Sequence, residues 1–79
     1  MGDKKLKLCN LCEGERAVIE SAHNEPYMKR RLFDMGFVPG SMVECVKVAP
    51  FGDPKAYLIK STVVALRSED SEKITVTKK

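Results

Sequence analysis

The 79-residue sequence contains no tryptophan, and aromatic residues make up 6% of it. Small barrels that hold single-stranded nucleic acid stack its bases on strand aromatics along a basic groove. Here Tyr27, Phe33 and Phe37 fall on or beside a predicted helix, Phe51 falls in a predicted loop, and Tyr57 alone falls on a strand. The stacking platform is missing, and no nucleic-acid partner is expected. The one histidine, His23, has no credible nucleophile beside it, which removes Cys-His and Ser-His-Asp catalysis. Lys60-Ser61-Thr62 resembles the end of a phosphate-binding loop, but Pro54 and Ile59 stand where G-x4-G-K-[ST] needs glycines. A chain this short holds one small core and has no spare walls for a cleft. A binding or regulatory module is expected, with no enzymatic activity and no cofactor.

Long apolar runs are absent as well. The longest aliphatic stretch is Val63 to Leu66, far short of the roughly 20 residues of a membrane span. The start, MGDKKLKLC, lacks the apolar centre of a secretory signal, and Leu6 stands where a myristoylation motif needs Ser or Thr. A single cytoplasmic domain over residues 1–79, without direct membrane insertion, is the expectation. Net charge is +3, from 14 Lys and Arg against 11 Asp and Glu interspersed with them, a solubility charge more than a grip for a polyanion. Local excesses occur at Lys4, Lys5 and Lys7, at Lys29 to Arg31, and at Lys78 and Lys79.

Three cysteines are an odd number and argue against a closed disulfide framework. Cys9 and Cys12 have the C-x2-C spacing of a zinc ligand pair, but a structural site needs two more ligands, and the candidates are His23 and Cys45. With Leu6, Leu8 and Leu11 around them, the two cysteines read more simply as small hydrophobes in a segment that packs under the barrel.

Glu13 to Ser21 alternates, with Ala17 and Ile19 on one face and Arg16, Val18 and Glu20 on the other, and reads as a strand. Asn24 can cap a helix whose first turn holds Glu25 and Pro26, and Met28, Leu32 and Met35 form its apolar stripe. Gly36 suits a left-handed helix stop with Phe37 folding back, and Pro39-Gly40 suits a type II turn. In the next strand, Ser41 to Ala49, the apolar phase slips at Cys45-Val46, which calls for a bulge or bend. Ala56 to Lys60, then Val63 to Arg67 after a Ser61-Thr62 connection, and finally Ile74 to Val76 read as strands, with one polar helical turn in Ser68 to Lys73. About five short strands with one short α-helix inserted after the first make an all-β, closed or nearly closed barrel.

The loop APFGDP, Ala49 to Pro54, has prolines near both ends, a glycine free to take positive φ, and an Asp53 able to accept backbone N–H bonds. Phe51 near its tip reads either as an anchor for a partner or as a plug over the end of the barrel. On the helix, Arg30 and Phe33 fall off the apolar stripe and read as an outward patch, or Phe33 widens the buried face.

The run RRLFDMGFVPGSMVECVKVAPFGDP, followed by VVALR and ITV, resembles the ferrous-iron transport protein A (FeoA) family. The matching positions are Arg31-Leu32, Gly36, Pro39-Gly40, Val43, Ala49 to Pro54, Ala65 to Arg67 and Ile74 to Val76. Ser61 departs from the family's usual Gly, Asp70-Ser71 from its usual acidic residue and Ala, and Cys9 and Cys12 lie outside the pattern. The resemblance implies an SH3-like β-barrel and an accessory role beside a membrane ferrous-iron transporter with a cytosolic GTPase domain. Arg30, Phe33 and the loop residues Pro50, Phe51, Gly52, Asp53 and Pro54 would then meet that partner. A similar barrel is the C-terminal domain of iron- and manganese-responsive repressors, so a metal-sensing module using Cys9, Cys12 and His23 is the alternative. An open strand edge would also permit weak self-association.

Overall fold

A computed structural model describes residues 4–78; Lys79, counted above with the C-terminal basic residues, lies outside them. The order is β1 (Lys4–Lys7), a 3-10 turn (Leu8–Asn10), β2 (Arg16–Ala22), α1 (Pro26–Asp34), β3 (Met42–Val48), β4 (Lys55–Ile59), β5 (Thr62–Leu66), α2 (Ser68–Ser71) and β6 (Ile74–Lys78). The strands form one sheet in the order β1-β6-β2-β3-β4-β5, antiparallel throughout.

The curled sheet has the expected small-barrel form but is not closed by hydrogen bonds, since β1 and β5 end it. It also has six strands among the described residues, against the five expected. The extra one is β1, whose three lysines disfavour a strand assignment; it forms because its backbone extends β6, with Leu6 opposite Val76.

Alternation elsewhere follows the apolar pattern. Ala17 and Ile19 are fully buried, and β2 then takes a bulge between Ile19 and Ser21 that turns Ala22 inward. The phase slip in β3 is a second bulge, in which pairing with β4 jumps from Cys45 to Lys47 and leaves Val46 extra. Val43, Cys45, Tyr57, Ile59, Ile74 and Val76 fill the centre of the core. Leu8 and Leu11 close it from the N-terminal side.

Helix α1 covers the core with its predicted stripe, Leu32 fully buried and Met28 and Met35 packed against the same cluster. Its cap is Glu25 rather than Asn24: Glu25 Oε1 accepts from the Met28 N–H at 2.5 Å. Asn24 is buried instead, and its side-chain amide donates to the Asp70 carbonyl at 2.9 Å. A tertiary partner therefore outbids local capping. Pro26 takes the first helical position, where its missing N–H costs nothing.

The helix stops as predicted. Gly36 takes φ +105, and the Phe37 N–H returns to the Leu32 carbonyl at 2.9 Å, which drives the Phe37 ring into the core. The Pro39-Gly40 turn follows, closed by Ser41 N–H to Val38 carbonyl at 3.0 Å and tied to β2 by Gly40 N–H to Ile19 carbonyl at 2.8 Å. The β4–β5 connection lies one residue earlier than the spacing suggests. Lys60 and Ser61 both have positive φ, 49 and 66, the backbone of a tight two-residue hairpin.

Gly36→Ala should lower stability by more than about 1 kcal/mol, because the new Cβ meets positive φ and would sit 2.9 Å from Lys60 Cγ. A urea midpoint equal to that of the unsubstituted protein would refute this account of the helix stop.

Candidate docking surfaces

The face of α1 opposite its buried stripe carries Tyr27, Arg30 and Phe33, spaced i, i+3 and i+6. Tyr27 is 70% and Phe33 40% exposed. With Pro26, Lys29 and Asp34 they line one shallow surface groove, apolar in its walls and cationic at its rim. Phe33 therefore does not widen the buried face. The helix beneath is held at both ends, by the Glu25 cap and by the Gly36-Phe37 stop.

The loop between β3 and β4 is closed on itself, with Ala49 N–H to Pro54 carbonyl at 3.2 Å and Gly52 N–H to Ala49 carbonyl at 2.8 Å. Gly52 has φ +88 and the Asp53-Pro54 peptide bond is cis. Asp53 accepts the backbone N–H of Ser68 at 2.9 Å and its hydroxyl at 3.4 Å, so one carboxylate holds the loop against the first turn of α2. Phe51 at the tip is 99% exposed. The plug reading fails: the ring touches nothing in the barrel's end.

The loop and the α1 groove share no lining residue. They are nonetheless fixed to each other through α2, which meets the loop at Asp53–Ser68 and the α1 entrance at Asn24–Asp70. Lys55, directly after the loop, donates its ammonium to the carbonyls of Cys9 at 2.7 Å and Leu11 at 2.9 Å. Tyr57, two residues on, reaches the Leu8 carbonyl at 3.4 Å. β4 thus clamps the 3-10 turn and anchors one side of the loop.

The candidate metal ligands are not gathered. Leu8 and Leu11 face the core while Cys9 is half-buried and Cys12 exposed, the hydrophobic-anchor arrangement for this segment. His23 is exposed and its Nε2 lies 3.0 Å from Ser21 Oγ. Cys45 is buried, and loss of solvent pushes its thiol up from the ordinary range, against the thiolate a metal requires. Among the described residues no three His, Cys, Asp or Glu side chains are placed to hold a metal ion. The two terminal basic clusters do meet, Lys4 opposite Lys78, but Lys78 is ion-paired with Glu15.

Tyr27 is the site residue that the sequence reading lacks; its spacing with Arg30 and Phe33 is the signal that finds it. The exposed Val63 on β5, at 61%, is another.

The FeoA domain model matches residues 6–78. The chain belongs to the FeoA family. This FeoA domain is 38% identical over 71 residues to an Fe(2+) transport protein A/Fe(2+) transporter FeoB fusion protein of Porphyromonas gingivalis, covering 90% of this chain and 8% of that one. The solution structure of FeoA from Chlorobium tepidum superposes with a TM-score of 0.88 at 36% identity, covering 92% of this chain and 70% of that chain. The zinc complex of Stenotrophomonas maltophilia FeoA, described as a prokaryotic SH3-domain protein, gives 0.79 at 32% identity, with 90% and 88% covered. These likenesses establish the SH3-like fold and a family of ferrous-iron transport. A manganese-dependent transcriptional repressor shares the fold at a TM-score of 0.85 and 19% identity, covering all of this chain and 44% of that one. No helix among the described residues is long and apolar enough to cross a membrane.

Burial pushes the Tyr57 hydroxyl up to about 12. An unfolded tyrosine titrates near 10, so the folded state keeps its proton longer. The resulting stability is complete below pH about 10 and disappears as pH rises to about 12, a loss on the order of 2 kcal/mol. Denaturant midpoints measured across that window should fall less in Tyr57→Phe than in the unsubstituted protein. Parallel losses would remove Tyr57 as the source.

Proposed function

We propose that this FeoA domain is a non-enzymatic, cytoplasmic accessory subunit of a bacterial ferrous-iron uptake system. It docks on the cytosolic GTP-binding part of the membrane ferrous-iron transporter. The observation that carries the reading is the Phe51 ring, held in water by a loop closed at both ends. A stiff loop loses little entropy on docking, and a phenylalanine that enters a partner's pocket gains about 2 kcal/mol from burial. The groove of Tyr27, Arg30 and Phe33 offers the aromatic and guanidinium chemistry of interface centres.

The choice of partner is supported by the P. gingivalis relative, in which transport protein A and FeoB form one chain. Tethering of that kind keeps a weakly binding domain at high effective concentration beside its target. The metal-sensing alternative has a repressor's fold in its favour, and a shared fold transfers no function.

A pull-down against the transporter's cytosolic domain, in each nucleotide state, tests the reading. Phe51→Ala and Phe33→Ala should each weaken capture about tenfold or more, with the melting temperature unchanged in Phe51→Ala, whose ring is 99% exposed, and lowered slightly in Phe33→Ala, whose ring is partly covered. Undiminished capture by both variants would overturn the site assignment, and absence of capture by the unsubstituted domain would overturn the choice of partner.

A further inference from the structure

The two edges of the sheet differ in chemistry. β1 lines its edge with Lys4, Lys5 and Lys7, and lysines on an edge deter an added strand. β5 has no such guard. Its sequence, TVVAL, holds no charge and no proline, and its pairing with β4 runs without a bulge from Ile59↔Thr62 to Lys55↔Leu66.

The hairpin geometry identifies which backbone groups are free. A two-residue turn at Lys60-Ser61 makes Ile59 and Thr62 a hydrogen-bonded pair, and alternation makes Tyr57–Val64 and Lys55–Leu66 the next two. Thr62, Val64 and Leu66 thus direct their N–H and C=O groups at β4, while Val63 and Ala65 direct theirs away from the sheet. No hydrogen bond among the described residues engages those outward groups.

Beside this edge runs α1. Met28, Arg31 and Met35 from the helix, with Val64, Leu66 and Arg67 from the strand side, line one groove. A cleft between an edge strand and a helix accepts extended peptides: main-chain bonds form to the strand, and alternate side chains drop into the gap. Methionines are adaptable walls for such side chains. Charge selects the occupant. Arg31 and Arg67 are ion-paired with no carboxylate among the described residues, and they outnumber the lining Asp70. A second copy's β5, TVVAL, brings no carboxylate to these guanidiniums, so the charge calls for a different occupant.

We propose that β5 is a strand-accepting edge that takes an extended acidic segment of a partner protein, with its main chain on Val63 and Ala65 and its carboxylates on Arg31 and Arg67. The surface is separate from the Phe51 loop and the Tyr27–Phe33 groove, so it stands or falls apart from the docking reading above.

The probe is a short peptide alternating valine and threonine with glutamate at each end, compared with its lysine-ended counterpart by amide chemical shifts and hydrogen exchange on the full chain. The glutamate-ended peptide should shift residues 62–67 and slow exchange at Val63 and Ala65. Ala65→Pro removes an outward N–H without touching the β4 ladder, so it should abolish those changes. The double variant R31E/R67E, which leaves the edge backbone intact, should weaken the glutamate-ended peptide about tenfold or more and favour the lysine-ended one. If Ala65→Pro fails to fold, the double variant decides alone. Shifts confined to other surfaces, equal binding of both peptides, or a free chain already dimeric with Val63 and Ala65 protected would each overturn the proposal.

Discussion

Phe37 reaches the core because Gly36 adopts a backbone conformation that side chains resist, and much of the molecule's outer surface follows from that turn. Phe37 joins the same buried cluster as Leu32, so α1 is held down just beyond its C-terminal end as well as by Leu32 in its last turn. A helix held in that way presents its opposite face whether or not anything binds there. The same turn, continued through Pro39-Gly40 and pinned to Ile19, starts β3 in register with β2. A domain of this size has a stability of a few kcal/mol, so one misplaced turn would expose both the helix and the strand that follows.

What was legible in the sequence was local. Alternation at Ala17 and Ile19, the stripe of Met28, Leu32 and Met35, and the turn chemistry of Gly36 and Pro39-Gly40 each depend on neighbours within a few residues. The bulge in β3 was legible as a fault in the apolar phase at Cys45-Val46. β1 was not, because its strand character comes from pairing with β6 at the far end of the chain and its own residues are mostly lysine. The helix cap was ambiguous for the same reason: Asn24 and Glu25 are both able to cap, and Asn24 is withdrawn by a carbonyl 46 residues away. The openness of the sheet likewise depends on edges that no single segment describes.

The candidate sites divide along the same line. Proline and glycine spacing was enough to mark Ala49 to Pro54 as a stiff loop. Excluding Phe51 as a plug required the tertiary position of Asp53, whose bond to Ser68 draws the loop toward α2 and leaves the ring in water. Cys9-x-x-Cys12 shows the reverse case, a motif whose spacing suggests ligands and whose neighbours pack and tether the segment. Leu8 and Leu11 take the buried positions, Lys55 grips the carbonyls between and beside the thiols, and the segment serves to seal the core.

A binding module shifts a partner's equilibrium only through a difference in affinity for the partner's states, and a tenfold difference corresponds to about 1.4 kcal/mol. Rigid spacing is a direct way to create such a difference. Because α2 bonds to Asp53 on one side and Asn24 on the other, the Phe51 loop and the entrance of α1 keep a set relation. A partner whose two complementary patches match that relation in one conformation gains both contacts there and one contact in any other. A floppy loop would follow the partner from state to state and bind each about equally. Under the docking reading, the hydrogen bonds of Asp53 and Asn24 would therefore govern discrimination between states, while Phe51 and Phe33 would govern affinity within each.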